Sequence, residues 1–450
     1  MVSQLLAVTI FVIMLAEIIR NRFPRHLVAL VAGGATLVLV YMLVMQSPDT
    51  VMVAMSLDSL FDLSFWYTSP AAPAAINTGI NWSTILFISG MIIMVEGMSE
   101  AGFFDWLCLR LAKLVHYKPA PLFLCFMILA ALLSMFINSI TVILFLSVTS
   151  VLLGRLLRVD PVPFILTQIF AANLGGAATM SGDPPNIIIG TSLGYSFSDF
   201  LLNTGLIVLL GLLLLVPFSY LFFRRALISG ADPDSLALKD LEPGSAVHSR
   251  KKFMVSMAIF LLTIVLLITH AITGLSVATV GVIGALLTVA ANRSPSHLLK
   301  RINWDPILFL MGLFLAVSGL ELTGVLTLLA NGIASVGETP AATLLFVFLL
   351  AAVASAFVDN IPFAATMVPV IHALSTAAVL PLDPLAWTLA LGTNIGGAAT
   401  PIGASANVAG LSVAARDGHP ITWRRYCSYA IPASILVLAL TAAMLLFRYA

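Results

Sequence analysis

The chain is laid out as a series of apolar runs, each about as long as a bilayer is thick. A hydrocarbon core about 30 Å deep needs about 20 apolar residues to cross as a helix. Runs of that order lie near 4–20, 27–45, 83–99, 199–223, 253–271, 274–291, 305–321 and 426–447. In lipid every backbone N–H and C=O must be satisfied within the chain, so such runs become helices. Only 9% of the 450 residues are charged, against about 25% in a soluble domain. The expected class is an all-α polytopic membrane protein. Cys108, Cys125 and Cys427 are too widely spaced for a local metal motif or a redox pair and read as apolar helix residues. The spans hold no deep histidine cluster, nucleophile elbow or metal motif, which argues against an enzyme.

Two further segments, near 162–192 and 384–412, are long enough to cross but are interrupted by Gly, Pro and Asn. Two apolar blocks, near 119–157 and 340–376, carry a polar break in the middle, at Asn138-Ser139 and at Asp359-Asn360-Ile361-Pro362. Lys and Arg accumulate on the cytoplasmic side of membrane proteins. With the N-terminus outside and each broken block returning to its own side, only Arg448 of the 21 Lys and Arg falls outside. The loops placed outside, 46–80 and 322–339, carry Asp49, Asp58, Asp62 and Glu338 and no base. Both termini are therefore expected outside, in the plasma (inner) membrane. The first run, Gln4 to Ile19, is followed rather than preceded by basic residues and reads as a retained span, not a cleaved signal. Trp66, Trp82, Trp106, Trp304, Trp387 and Trp423 fall near predicted span ends, as interfacial anchors do. Charge alone leaves open whether a returning block is two full spans or one re-entrant hairpin.

The chain also repeats itself. Asn81-Trp82-x-x-Ile85-Leu86-Phe87 matches Asn303-Trp304-x-x-Ile307-Leu308-Phe309, and Gly90, Gly97 and Gly102 match Gly312, Gly319 and Gly324. Further on, Asn173-x-Gly-Gly-Ala-Ala-Thr179 matches Asn394-x-Gly-Gly-Ala-Ala-Thr400, Gly182 matches Gly403 and Asn186 matches Asn407. Each half crosses an odd number of times under either reading of the broken blocks, so the halves are inverted. The division is 1–223 for the first repeat, 224–252 for a polar linker inside, and 253–450 for the second repeat. Inverted repeats with interrupted helices are the architecture of secondary transporters, with the site at the repeat interface.

Four polar clusters interrupt the apolar sequence: Asn138 to Thr141, Thr179 to Asn186, Asp359 to Pro362 and Thr400 to Asn407. A helix broken at membrane depth frees carbonyls for cations and exposes N–H groups that favour anions. The Gly-Gly-Ala-Ala segments read mainly as close-packing surfaces. Asp183 and Asp359 fall inside the clusters, opposite Ala404 and Asn138 in the repeat, so each half contributes one acid from a different element. An intramembrane carboxylate is costly and marks function by default. Glu17 lies beside Arg20 and reads as snorkelling. Glu96 is open between structure and function, and His270 and His372 read as structural. No Lys or Arg lies deep in a predicted span, so an anion would rest on helix N-termini, amides and a bound cation.

Phe136-Ile-Asn-Ser-Ile-Thr141, Asn173-Leu-Gly-Gly-Ala-Ala-Thr-Met-Ser-Gly-Asp-Pro-Pro-Asn186 and Val358-Asp-Asn-Ile-Pro-Phe363 resemble the ion transporter superfamily. Within it, the P-protein and arsenite-permease-like branch is the nearest, and that branch is related to the dicarboxylate symporters. The likeness spans about residues 80–412. It implies about 10 spans plus 2 re-entrant hairpins, and a homodimer with a scaffold and a moving transport domain. Each hairpin tip would pair with the broken helix of its own half. Carried over, one ion-binding cluster would use Asn138, Ser139, Thr141, Thr179, Gly182, Asp183 and Asn186, and the other Asp359, Asn360, Thr400, Gly403 and Asn407. The dicarboxylate-symporter pattern has a Thr where Pro362 stands, and lacks the two acids. The resemblance implies a secondary active transporter of a small ion or oxyanion, coupled to H+ or Na+ by an elevator movement. A Na+/H+ antiporter and a passive ion channel are the alternatives. No cofactor is expected beyond Na+ or H+ as coupling ion, with Na+ at the same two clusters. The expected partners are a small ion, the bilayer and a second copy of the chain, and not nucleic acid.

Overall fold

Proline at the first turn of a helix loses no hydrogen bond, because that N–H has no intrahelical partner. Pro119, Pro184 and Pro340 open helices in this way. A computed structural model describes residues 1–20, 22–67, 78–228, 242–247, 249–292, 295–336, 339–378 and 380–449. These are almost entirely helical, with no strand among the described residues.

The first repeat contains α1 (Val2–Arg20), α2 (Arg25–Val44, wound as a π-helix from Thr36), α3 (Pro48–Met55), α4 (Leu63–Trp66), α5 (Trp82–Glu100) and α6 (Phe103–Leu114). Then follow α7 (Pro119–Ser134), α8 (Ser139–Leu157), α9 (Val162–Gly176), α10 (Pro184–Leu193) and α11 (Phe197–Leu227). The second repeat contains α12 (Arg250–Thr273), α13 (Val277–Ala291), α14 (Pro295–Arg301), α15 (Asp305–Leu322) and α16 (Val325–Val336). It ends with α17 (Pro340–Phe357), α18 (Asn360–Ala378), α19 (Leu382–Gly397), α20 (Ser405–Arg416) and α21 (Trp423–Tyr449). Residues 229–241 and 248 of the predicted linker, Lys239 among them, lie outside the described residues; helices run into it as far as Ile228 and out of it from Arg250.

Among the described residues nine helices are long and apolar enough to cross a membrane. Two of them, α8 and α17, are limbs of hairpins. The tip between α7 and α8 does not reach the far side of the bundle. Helix α9 runs back beside α7 for about 22 Å at 1.5 Å per residue. It breaks where Thr179 meets the tip at Met135, and α10 then continues for about 15 Å more. The tip therefore stops part-way along a complete crossing, and the block is a re-entrant hairpin. Thr400 meets Ala356 in the same way at the tip between α17 and α18. With the two broken helices and α13, the crossings number ten.

Two parts of the sequence reading are corrected. The predicted outside loop at 322–339 contains α16, and the inside segment after Glu100 contains its repeat counterpart α6. Both are short helices lying against a hairpin limb, α16 on α18 and α6 on α8. They carry too few consecutive apolar residues to read as spans. Trp387 is not an interfacial anchor: it is fully buried, its ring 4.6 Å from that of Tyr195 and 5.0 Å from that of Phe200. By contrast Trp304 and Trp423 are exposed.

Close glycine contacts sort the helices into two groups. In the first, which we call the frame, α5 packs on α13 and α15 on α2. A Cβ on Gly97 would lie 2.5 Å from Thr288 Cγ2, and one on Gly319 would lie 2.6 Å from Thr36 Cγ2. Gly90 meets Gly281 as Gly312 meets Ala29. The repeat thus extends into the first spans, pairing Ala29 with Gly281 and Thr36 with Thr288 at one constant offset. The second group holds both hairpins, both broken helices, α11 and α21. There Gly175 packs on Ala131 and Gly396 on Ala352.

Candidate functional site

A broken helix leaves carbonyls without partners at the end of its first half. Asn186 covers them in the first repeat, its Nδ2 donating to the Gly176 oxygen at 3.0 Å and the Thr179 oxygen at 2.9 Å. Asn407 does the same in the second, donating to Gly397 at 2.8 Å and Thr400 at 2.7 Å. The Thr179 and Thr400 hydroxyls each donate to a carbonyl of their own hairpin tip. Gly182 and Gly403 let the broken strand pass: a Cβ there would lie 2.6 Å from the Ser134 oxygen and 2.7 Å from the Ser355 oxygen. The two breaks are tied to each other across the repeat interface. Asn173 Nδ2 donates to Asn407 Oδ1 at 3.0 Å, and Asn394 Nδ2 donates to Asn186 Oδ1 at 2.9 Å.

These bonds bring four helix starts together, those of α8, α10, α18 and α20. Their N–H ends carry partial positive charge, and the two aspartates stand among them. Asp183, 2% exposed, accepts from the Ser139 hydroxyl at 2.5 Å on Oδ1 and from Asn360 Nδ2 at 3.1 Å on Oδ2. The hairpin tip of the second repeat thus serves the acid of the first. Asp359, 5% exposed, accepts from the Ile361 N–H at 3.1 Å on Oδ1. Its Oδ2 accepts from the Ser405 hydroxyl at 2.6 Å and from Arg25 Nη1 at 2.6 Å. A cavity of about 10 Å³ lies beside Asp183 where the four helix starts meet, lined by Ser139, Asp183, Pro184, Asn360, Ile361 and Ser405 among others. That is room for about one water-sized particle.

The predicted residues converge but divide by role. Ser139, Asp183, Asp359 and Asn360 face one another. Thr179, Gly182, Asn186, Thr400, Gly403 and Asn407 brace the breaks. Asn138 turns back to accept from the Ile140 N–H at 2.9 Å. Thr141 sits one turn into α8, where its N–H is bonded to the Asn138 carbonyl. The oxygens Asn173 Oδ1 and Asn394 Oδ1 are buried and accept no hydrogen bond from the described residues. Each repeat thus has one neutral amide oxygen with acceptor capacity to spare.

Arg25 was missed. It stands at the start of α2 beside Pro24, and in the sequence it counts only as one more basic residue at a span end. Its side chain, 26% exposed, enters the site instead. Ser405, inside the cluster from Thr400 to Asn407 but not among the expected ion-binding residues, belongs there too. Glu96 is paired with Arg301 at 2.9 Å and His270 accepts the Phe197 N–H at 3.1 Å, which accounts for both structurally. Glu17 pairs with Arg20 at 2.8 Å at the surface. Exposed pairs contribute under about 1 kcal/mol, so Glu17→Gln is expected to leave thermal stability and flux nearly unchanged. Thermal unfolding and uptake by the purified variant check this.

Two interlocked inverted repeats, each with a re-entrant hairpin on a broken helix, define a polytopic membrane transporter. Two solved structures share the fold. The Alcanivorax borkumensis YdaH transporter, described as having an unusual topology, aligns with TM-score 0.59 at 13% identity over 99% of this chain and 98% of its own. Neisseria gonorrhoeae MtrF, described with a class of antimetabolite efflux pumps, aligns with TM-score 0.58 at 12% identity over 98% of this chain and 94% of its own. The chain belongs to the CitMHS family, described as Citrate transporter, whose profile matches residues 10–392. A 46 kDa membrane protein of Mycobacterium leprae is 31% identical over 99% of both chains. An uncharacterized transporter of Mycobacterium tuberculosis is also 31% identical over 99% of both. The human P protein is 27% identical over 81% of this chain and 53% of its own length. The family and these relatives mark a transporter rather than an enzyme.

Proposed function

We propose that the protein is a secondary active transporter of a small ion or oxyanion, coupled to H+ or Na+. The second packing group would move against the frame as an elevator, in a homodimer. The observation that carries this reading is the pair Asp183 and Asp359, buried where both breaks and both hairpin tips meet. Arg25 can balance one carboxylate. One negative charge of the pair is left in excess and favours a proton or Na+, because an unpaired charge in a dry site is costly. The converging helix starts support an anion alongside that cation, and the family description supports a carboxylate. The positive-inside distribution supports termini outside and a cytoplasmic basic end. The matched bonds of the two halves support the division at 1–223, 224–252 and 253–450.

A second reading, Na+/H+ antiport with no other solute, is favoured by the cavity, since about 10 Å³ fits a cation and not a polyatomic anion without movement of the tips. The test is a solute panel that includes carboxylates, on purified protein in liposomes with imposed pH and Na+ gradients. Concentrative uptake that ends when the gradient is dissipated is expected. Exchange of Na+ and H+ with no solute moved would select the antiporter. Downhill flux indifferent to both gradients would refute coupling and leave a channel.

A further inference from the structure

The bond between Arg25 and Asp359 crosses the border between the two packing groups. Arg25 begins α2, which is locked into the frame by Ala29 and Thr36 against Gly312 and Gly319. Asp359 and Ser405 belong to a hairpin tip and a broken helix of the other group. One guanidinium nitrogen bridges both, at 2.6 Å to Asp359 Oδ2 and 3.0 Å to Ser405 Oγ. Asp359 is nearly inaccessible, with 3% of its side chain exposed, so the ion pair stands between the site and the basic end of the bundle.

The repeat supplies an internal comparison at the opposite end. The offset that pairs Ala29 with Gly281 and Thr36 with Thr288 places Val277 opposite Arg25. The offset of the later elements places Asn138 opposite Asp359 and Pro184 opposite Ser405. All three counterparts are uncharged. At that end a cavity of about 330 Å³ lies between the groups, lined by Val277, His270 and Ser83 on one side and Met180, Gly190 and Tyr195 on the other. One border is bridged by an ion pair; the equivalent border is bridged by hydrogen bonds without an ion pair, from Asn81 to Thr191 and Ser192 at 3.1 Å and between Thr84 and Thr191 at 2.6 Å, beside the cavity.

We propose that Arg25 is a tethered counter-cation that closes the basic end of the transport path, and that the coupling cation opens it by replacing Arg25 on Asp359. A cation on Asp359 removes the charge that holds the guanidinium, and the hairpin and the frame can then part. Without it the border stays shut, so solute cannot pass uncoupled. The arrangement works at one end only, because at the other the counterparts Val277, Asn138 and Pro184 cannot form this ion pair, although Asp199 and His270 line the cavity there. Arg25 is a positioning residue here, acting through Asp359.

The inference rests on the transport reading, but its test needs neither solute nor gradient. Spin labels are placed on exposed Leu299, at the basic end of the frame, and on exposed Ala415, near the end of α20. The full chain is used in lipid nanodiscs, with its three native cysteines replaced. The parent protein is expected to show a dominant short distance. Arg25→Gln, and Asp359→Asn as the neutralised carboxylate, should each raise the ratio of long to short populations about tenfold. The double variant should show no more than either single change, and Arg25→Lys should keep the short distance. An unchanged distribution in Arg25→Gln, or single effects that add in the double variant, would overturn the gate. If Arg25→Gln does not accumulate, Asp359→Asn and Arg25→Lys still decide, by long and short distances respectively. A protein that moves nothing in the solute panel yet shows the shared shift has the gate and not the proposed function.

Discussion

Asp183→Asn or Asp359→Asn is expected to abolish gradient-driven uptake while leaving helical content and assembly intact. The shape is kept in both. At position 183 the amide oxygen still accepts from Asn360, and the amide NH2 donates to Ser139, whose hydroxyl turns from donor to acceptor. At position 359 the amide oxygen can still accept from the Ile361 N–H. What is lost is the charge, and with it the ability to exchange one cation for another in a site where an unpaired charge is expensive. Liposome uptake under pH and Na+ gradients, read beside circular dichroism and gel filtration, checks the outcome. Concentrative uptake with wild-type pH and Na+ dependence in both variants would make the two acids structural.

The largest loss of stability is expected from Gly175→Ala and Gly396→Ala. An added Cβ at Gly175 would lie 2.6 Å from the Ala131 Cα, and one at Gly396 would lie 2.7 Å from the Ala352 carbonyl carbon. Both obstacles are backbone, so no side chain can swing away. The hairpin must separate from its broken helix, which costs at least about 1–3 kcal/mol and weakens the Thr179 and Thr400 bonds to the tips. Gly34→Ala is the control: nothing lies within 4 Å of its added Cβ, and alanine favours a helix by about 0.5–1 kcal/mol. Thermal unfolding in detergent should show a clear fall for the first two and none for the third. Wild-type melting of Gly175→Ala would show that the hairpin is not seated there.

The sequence by itself determined the class, the crossings and the inverted duplication. Hydrophobic length, Lys and Arg placement and repeated glycines act locally, through lipid solvation, charge translocation and helix contact, and each leaves a linear trace. It also located the four breaks and both acids, because a polar residue inside an apolar run has no other reason to persist in lipid. Only the tertiary structure decided how the blocks at 119–157 and 340–376 return, since that depends on where Thr179 and Thr400 meet the tips. It separated the bracing residues Asn186 and Asn407 from those that face the cavity, although both kinds look alike as polar residues near a glycine. It buried Trp387, whose position near a span end carried no sign of the rings around it. And it brought Arg25 to Asp359, across 334 positions of sequence. Charge counting assigns a basic residue at a helix start to the membrane surface; whether its long side chain reaches inward depends on which carboxylate the packing of two helix groups leaves within its length.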